Sequence, residues 1–227
     1  MFGAWQLTAG QMRAFKVAAF LACTWPGVNM VYNAFWGDLG VNPVETLQHV
    51  SGEGALAILI CSLSVTPVRR LTGQNRLQGM RRLLGLWAFF YAFVHFLFYL
   101  LLDQACINWS DCQLKAVVDD VMKRKFILSG MVAFLAMVPL ALTSTKGWIR
   151  RLGKKWQTLH RLAYVAGIAG ALHFIWKAKV AEPEPFIYAG FLLAAFAVRL
   201  FFTWRKRRAA ATRGRVSTVE NSRNIAN

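Results

Sequence analysis

Acidic residues are scarce in this 227-residue chain, where 10 Asp and Glu stand against 27 Lys and Arg and the net charge is +17. In a soluble protein such an excess would favour nucleic acid as the partner. The basic residues lie between apolar runs, however, where they act as determinants of membrane orientation. The charge therefore indicates a membrane protein, and we expect lipid around the chain and no nucleic acid bound to it.

Cysteine-based and nucleotide-based sites lack their usual patterns. None of the four cysteines forms a CxxC or a Cys/His zinc spacing. No G-x-G-x-x-G sequence is present to open a βαβ unit, which argues against a nicotinamide-binding domain in these residues. No polar segment exceeds about thirty residues, well short of a soluble domain. Cys106 and Cys112 share a short polar loop, and a disulfide between them stays open because it requires an oxidising compartment.

Apolar residues are abundant instead: hydrophobic types make up 56% of the chain and the mean hydropathy is +0.38. Six apolar runs of about twenty residues each match the ~30 Å hydrocarbon core when they are helical. The sequence therefore predicts an all-α integral membrane protein, a six-transmembrane-helix bundle. The predicted spans are Val17–Trp36, Gly52–Val68, Leu83–Leu102, Phe126–Thr143, Trp156–Trp176 and Phe186–Trp204.

Charge alternates between the polar segments. The N-terminus, residues 69–82, residues 144–161 and the segment from Arg199 hold 21 of the 27 basic residues, with Glu220 as their only acid. The intervening loops hold nine acids and six bases. By the positive-inside rule, both termini and the basic loops are cytoplasmic. Residues 1–208 are predicted to form the membrane domain and residues 209–227, which are polar without an apolar period, a disordered cytoplasmic tail. No internal repeat stands out.

Two histidines lie at matching depths in the predicted spans. His95 is ~18 Å along the axis from Leu83, and His173 is ~16 Å from Leu162, in spans that both run outward from the cytoplasm. Two neutral imidazoles that face each other across a bundle are what a six-coordinate haem needs. We therefore predict a haem between helices 3 and 5 with His95 and His173 on its iron. Helix–helix hydrogen bonds are the structural alternative for both residues.

His160 lies ~20 Å deeper toward the cytoplasm than His173, and the two side chains point about 140° apart on an ideal helix. Arg81 occupies the position on span 3 that a second ligand would need. A second bis-histidine haem is therefore not predicted. A haem with His160 as its only strong ligand and Arg81 near a propionate stays open, as does a purely orienting role for Arg81. His49, before span 2, is interpreted as a solvated loop residue or as a quinone or propionate contact.

Several stretches together resemble the MsrQ (formerly YedZ) family. They are Arg81–Trp87 followed by His95, Leu142–Thr145, Leu152–Trp156, Leu159–His160, His173 and Pro185–Gly190, and the resemblance spans about Thr8 to Arg205. The resemblance implies a multi-pass b-type haem subunit of the bacterial inner membrane within the ferric-reductase-like transmembrane superfamily. It maps the family's haem ligands onto His95, His160 and His173. It also implies FMN binding, for which the residues themselves give no motif.

The resemblance further implies a subunit that takes electrons from the quinone pool and passes them to MsrP, a periplasmic molybdopterin reductase that repairs oxidised proteins. Such a subunit transfers electrons, and the catalytic site is on its partner. The alternative is a stand-alone transmembrane cytochrome of the ferric reductase type. A third class is a polytopic transporter or haem-handling scaffold, but inverted repeats and helices broken at the midplane are not evident.

Overall fold

The computed structural model describes residues 6–104, 113–178 and 182–226, and within these residues the chain is helical without strands. Cys106 and Cys112 lie outside the described residues, so the question of a disulfide between them stays open. The helices are α1 (Ala9–Phe35), α2 (Pro43–Thr72), a 3₁₀ turn (Asn75–Gly79), α3 (Met80–Phe98), a π-helical turn (Tyr99–Asp103), α4 (Leu114–Lys123), α5 (Lys125–Leu142), α6 (Lys146–Leu152), α7 (Lys154–Leu159), α8 (Leu162–Lys177) and α9 (Glu184–Ala226).

Five helical segments in the described residues are long and apolar enough to cross a bilayer. These are Ala9–Phe35, Pro43–Thr72, Asn75–Asp103, Lys125–Leu142 and Glu184–Thr212. They cover five of the six predicted spans apart from the end residues Trp36 and Thr143. Large apolar side chains such as Trp25 and Leu200, 68% and 70% exposed, point out of the bundle. The prediction of an all-α membrane protein is thus confirmed.

The remaining predicted span, Trp156–Trp176, is divided in the structure. The helix α7 ends at Leu159, His160 and Arg161 form a turn, and α8 begins at Leu162. The 16 residues of α8 reach ~24 Å at 1.5 Å per residue, less than the ~30 Å hydrocarbon core. The count of six spans therefore stays a prediction.

Neighbouring helices pack antiparallel and define two ends of the bundle. The hydroxyl of Ser62 in α2 donates to the Arg81 carbonyl at the start of α3, and Ser51 lies beside His95 near the end of α3. The helices α5 and α8 pair in the same way. We call the end with Arg69, Arg81 and Arg199 the arginine end, and the end with Glu53 and Glu184 the glutamate end.

Small residues allow the helices to approach closely. Ala88 in α3 and Ala166 in α8 are fully buried, and a Cβ on Gly167 would lie 3.1 Å from a methyl group of Leu63. Lipid tails are as apolar as leucine, so association within a membrane depends on such tight van der Waals packing. α8 thus lies inside the bundle, against α2, α5 and α9.

The last helix continues to Ala226, through the segment predicted to be a disordered tail. Alanines at 209–211 favour helix. Side chains 203–212 are all exposed, and a helix without tertiary packing is only marginally stable in water. The division into a membrane domain and a disordered tail therefore stays a prediction.

A tyrosine of α3 forms hydrogen bonds with backbone groups of α1 beside Pro26, where the helical hydrogen bonding is interrupted. Proline lacks an N–H and disturbs the preceding turn of a helix. Gly27 N–H donates to the Tyr91 hydroxyl over 2.8 Å, and that hydroxyl donates to the Cys23 carbonyl over 2.6 Å. The Tyr91 oxygen is thus inserted between a helical donor and its usual acceptor four residues earlier. Tyr91, which is 1% exposed, thereby fixes α1 to α3.

Tyr91→Phe should therefore destabilise the bundle by about 1–3 kcal/mol, because a backbone donor and a backbone acceptor both lose their partner. Thermal unfolding of the purified protein in detergent measures the effect. Tyr32→Phe, at an exposed position of α1, is the matched control and should unfold like the wild type. Equal unfolding temperatures for the two variants would show that the Tyr91 bridge contributes nothing.

Candidate functional site

A cavity of about 250 Å³ lies between α2, α3, α5 and α8, toward the glutamate end. Its walls are mainly apolar, with Leu56, Phe96, Phe134 and Met137 among them. His95 enters from α3 and His173 from α8. Their ring centroids are 5.9 Å apart and their planes are inclined by 80°. The structure thus brings together the two histidines that were matched by depth from the sequence.

Each imidazole is held by one backbone carbonyl. His95 Nδ1 lies 2.8 Å from the Gln48 carbonyl oxygen, and His173 Nδ1 lies 2.6 Å from that of Phe126. A carbonyl oxygen can only accept, so the hydrogen-bond network assigns the proton to Nδ1 in both rings. Nε2 then keeps its lone pair. Metal-ligating histidines have this arrangement, in which the second nitrogen donates to a carbonyl or carboxylate.

A glycine on the neighbouring helix makes room for each ring. A Cβ on Gly52 in α2 would lie 3.0 Å from His95 Nδ1, and one on Gly130 in α5 would lie 2.8 Å from His173 Nδ1. Each glycine is four residues after the carbonyl that the same ring uses. Each histidine is therefore held by one turn of its antiparallel partner helix.

The donor set suits iron in a flat macrocycle better than a bare ion. Two metal–nitrogen bonds of about 2 Å place the centres of two opposed imidazoles about 6 Å apart, close to the 5.9 Å observed. Within the described residues, no group of three or more His, Cys, Asp or Glu side chains could enclose a metal ion. The pair could thus supply two nitrogen ligands to the iron of a macrocycle.

Charged residues line the glutamate end of the cavity. Arg124 and Lys177 are both in the lining. Asp120 pairs with Arg124 Nε at 2.8 Å and accepts the Tyr99 hydroxyl at 3.0 Å. Asp120 thus ties the start of α5 to the end of α3, and the lining at this end carries the acids Glu53 and Asp103 as well as the bases Arg124 and Lys177.

His49 lies in α2, not in a loop as one of its two sequence interpretations had it. Its Nδ1 is 3.7 Å from Glu53 and its Nε2 is 4.0 Å from Glu184. Glu53 also accepts the Tyr188 hydroxyl at 2.8 Å. His49 is in the cavity lining as well, so it belongs to the wall beside the histidine pair.

His160 lies at the arginine end, outside that cavity. Its ring stacks on Trp156 with centroids 3.9 Å apart, and its Nε2 is 3.3 Å from the Thr143 hydroxyl. That hydroxyl donates its own proton to the Pro139 carbonyl at 2.6 Å. The network therefore makes His160 Nε2 a donor. In this it differs from His95 and His173, whose Nε2 atoms keep free lone pairs.

The arginine end has buried donors without acidic partners in the described part of the chain. The Nε atoms of Arg69, Arg81 and Arg199 are buried and have no hydrogen-bond partner. Arg199 donates to the Tyr164 hydroxyl and the Leu63 carbonyl. His160 and Arg81 both lie at the arginine end, and a functional pairing of the two stays a prediction.

The groups that hold the two rings were not predicted from the sequence. Gln48 and Phe126 act through their carbonyls, which carry no side-chain signal, and Gly52 and Gly130 resemble any small residue of a membrane helix. One signal was available: each glycine follows a serine and precedes its histidine by the same 43 residues.

Comparisons with known proteins identify the family of the chain. The family model of the ferric reductase like transmembrane component matches residues 51–171, a range that contains His95 and Gly130. The class of protein is thus a ferric-reductase-like membrane subunit.

Similar proteins identify the family within this class. The chain is 41% identical over 206 residues to a protein of Ralstonia nicotianae, covering 89% of this chain and 92% of the relative. It is 44% identical over 197 residues to one of Rhodospirillum rubrum (86% and 92%) and 45% identical over 190 residues to one of Brucella anthropi (84% and 83%). All three are described as the protein-methionine-sulfoxide reductase heme-binding subunit MsrQ. The chain belongs to this MsrQ family and is a multi-pass protein of the bacterial inner membrane.

Proposed function

We propose that this chain is a b-type cytochrome subunit that carries electrons across the membrane to a periplasmic methionine sulfoxide reductase. The observation that carries the proposal is the pair of opposed imidazoles, each with Nδ1–H on a carbonyl and Nε2 free. The relatives' description as heme-binding subunits of such a reductase supports it. The quinone pool, or a flavin reductase, is the proposed donor and MsrP the proposed acceptor.

The chain's residues fit a haem at this place. Bound between His95 and His173, haem supplies a one-electron Fe(III)/Fe(II) couple. The carbonyls of Gln48 and Phe126 keep each Nε2 unprotonated for the iron. The apolar walls exclude water from the cavity, and Arg124 and Lys177 offer positive charge to the two propionates. FMN is proposed from the resemblance alone.

We further propose six spans, with both termini and the arginine end in the cytoplasm. α8 is short, but it packs against α2, α5 and α9, and Val165, Ile168 and Leu172 on its free face are exposed, as apolar side chains that meet lipid would be. It runs parallel to α3, as an even number of alternating spans requires. This arrangement puts the basic loops inside and the acidic loops outside. The histidine pair is then near the periplasmic face, where the partner docks.

A stand-alone ferric reductase-type cytochrome is the alternative function. It would reduce a small acceptor directly at the outer face and need no protein partner. Mixing the reduced chain with the periplasmic reductase separates the two, because only an electron-transfer subunit is reoxidised at a rate that depends on the partner and its substrate.

His160 and Arg81 are proposed to load electrons at the inner edge. They lie ~20 Å from the histidine pair along α8, at the level that a quinol, a flavin or a second haem would use. His160 is a poor ligand as it stands, because its Nε2 is directed at Thr143. A second haem would therefore require this ring to leave its Thr143 partner.

His95→Ala or His173→Ala should abolish the low-spin spectrum of the main haem, because alanine offers the iron no ligand. The reduced-minus-oxidised spectrum and the haem-to-protein ratio of purified protein measure this. His49→Ala, in the wall of the same cavity, is the matched control and should keep the spectrum. All variants must accumulate in the membrane like the wild type. A wild-type spectrum in both ligand variants would refute the pairing.

The proposed topology predicts opposite results for two reporter fusions. A reporter after Asn227 should be active only in the cytoplasm, because the last basic segment is retained inside. One inserted near Asp111 should be active only in the periplasm. Reversal of either result would also remove the argument that the histidine pair lies near the outer face.

His160→Ala should leave the main haem spectrum largely intact and slow its reduction by quinol or by a flavin reductase, because loading at the inner edge is impaired. Transfer from chemically pre-reduced haem to the periplasmic reductase should keep its normal rate. Stopped-flow absorbance follows both steps, with Gln157→Ala, at an exposed position of α7, as the control. Unimpaired loading would leave His160 a packing residue, and a lost spectrum would make it a ligand of the main haem.

A further inference from the structure

The two helix pairs that enclose the cavity share one sequence pattern. It consists of Ser-Gly-x-x-Ala on the first helix, and an Ala and a His-Phe pair on the second helix at the same distances in both copies. The two copies are offset by 78 residues without a gap. The first contains Ser51, Gly52, Ala55, Ala88, His95 and Phe96, and the second contains Ser129, Gly130, Ala133, Ala166, His173 and Phe174. The helix pair α2–α3 thus corresponds to the pair α5–α8, although few residues match in each.

The contacts repeat with the same offset. Gln48 and Phe126, whose carbonyls accept from the two Nδ1 atoms at 2.8 and 2.6 Å, are 78 residues apart. Gly52 and Gly130 occupy equivalent places against the ring edge that carries Nδ1 and Cε1. Ala88 and Ala166, two helical turns before the histidines, are both 0% exposed. The two halves of the cavity are therefore equivalent in geometry as well as in sequence.

A side chain at either glycine would collide with a ring. Cβ atoms essentially never come within 3.0 Å of another heavy atom, yet one on Gly130 would lie 2.8 Å from His173 Nδ1. The ring cannot withdraw without giving up its carbonyl acceptor, and a buried N–H without a partner is costly. The glycine contact and the carbonyl together leave each imidazole one orientation.

We propose that Gly52 and Gly130 are positioning residues for the two iron ligands, and that the matched half-sites set the 80° angle between the imidazole planes. The proposal rests on the proposed haem function. These two residues would touch neither the iron nor a substrate. Because each has no side chain, an imidazole ring can lie against the backbone of its helix.

The two half-sites differ in how tightly they hold the ring. Ser51 Oγ donates to the Leu47 carbonyl at 2.7 Å and is 3.1 Å from the Gln48 carbonyl, which it shares with His95. Ser129 Oγ donates instead to the Ala169 carbonyl of α8 at 2.7 Å, which ties α5 to α8 one turn before His173. With the shorter glycine and carbonyl distances as well, the His173 half-site is the more constrained. Gly130→Ala should therefore perturb more than Gly52→Ala.

The test compares Gly52→Ala and Gly130→Ala with Gly190→Ala in the full-length protein. Gly190 lies in α9, and a Cβ there meets no atom within 4 Å, so this variant controls for alanine in a membrane helix. Electron paramagnetic resonance of the ferric haem reports the angle between the ligand planes, and the haem-to-protein ratio reports ligation. We expect Gly130→Ala to lose more than half of the low-spin haem or to shift its g values, and Gly190→Ala to match the wild type. Wild-type g values and haem content in both cavity variants would overturn the proposal.

A second measurement needs no haem and covers the case in which the single variants fold poorly. If the glycine is required only by the ring, Gly130→Ala lowers the unfolding temperature of apoprotein that carries His173 and has little effect in a His173→Ala background. An equal loss in both backgrounds would overturn the positioning role. A wild-type chain that binds no haem would instead refute the proposed function, while this comparison would still test the contact.

Discussion

An imidazole placed between membrane helices must satisfy its N–H donor without water, and the rest of this cavity is arranged around that requirement. The nearest acceptors in a helical bundle are backbone carbonyls, which are normally used within their own helix. Gln48 and Phe126 serve His95 and His173 because a glycine one turn later lets the ring approach the helix surface. Once the carbonyl has taken Nδ1–H, the lone pair of Nε2 is left to face the cavity. One hydrogen bond thus decides the tautomer, the orientation of the ring and the availability of the ligand.

The same need to pair every buried hydrogen-bond donor and acceptor explains how α1 joins the bundle. Pro26 interrupts its helix, and the Tyr91 hydroxyl occupies the gap as acceptor from Gly27 and donor to Cys23. Gly27 is the residue that permits this, because a Cβ there would be 3.1 Å from the hydroxyl oxygen. In lipid the freed backbone groups of a broken turn need a partner from a neighbouring helix. At the histidine cavity and at the Pro26 turn alike, a glycine therefore allows a polar side chain of the facing helix to reach the backbone.

Much of this architecture was predictable from hydropathy and charge, since five apolar runs are long helices in the structure and His95 and His173 meet as their depths required. The break at His160 was not predicted, because hydropathy does not distinguish one helix with a polar first turn from two helices that end at Leu159 and begin at Leu162. The start of α2 at Pro43 was also missed, since its first turns are polar and lie beyond the apolar run. Gly52 and Gly130 were not predicted, because the need for glycine arises only from the ring on the facing helix and their one sequence signal is the shared 43-residue spacing to His95 and His173.

The correspondence between the two helix pairs holds at the glutamate end and is lost at the arginine end. With the same offset of 78 residues, the position equivalent to His160 is Arg82, which is exposed, and the position equivalent to Arg81 is Leu159. The cavity of His95 and His173 therefore has two matched walls, whereas His160 has no matching imidazole: its ring is engaged with Thr143, and the equivalent position holds the exposed Arg82. Low-spin haem needs a strong ligand on each face, whereas a group that accepts electrons from a donor and passes them on needs only access and a favourable charge. The asymmetry of the bundle therefore suits the proposed arrangement, with a ligated haem near the glutamate end and a basic entry point for electrons at the other.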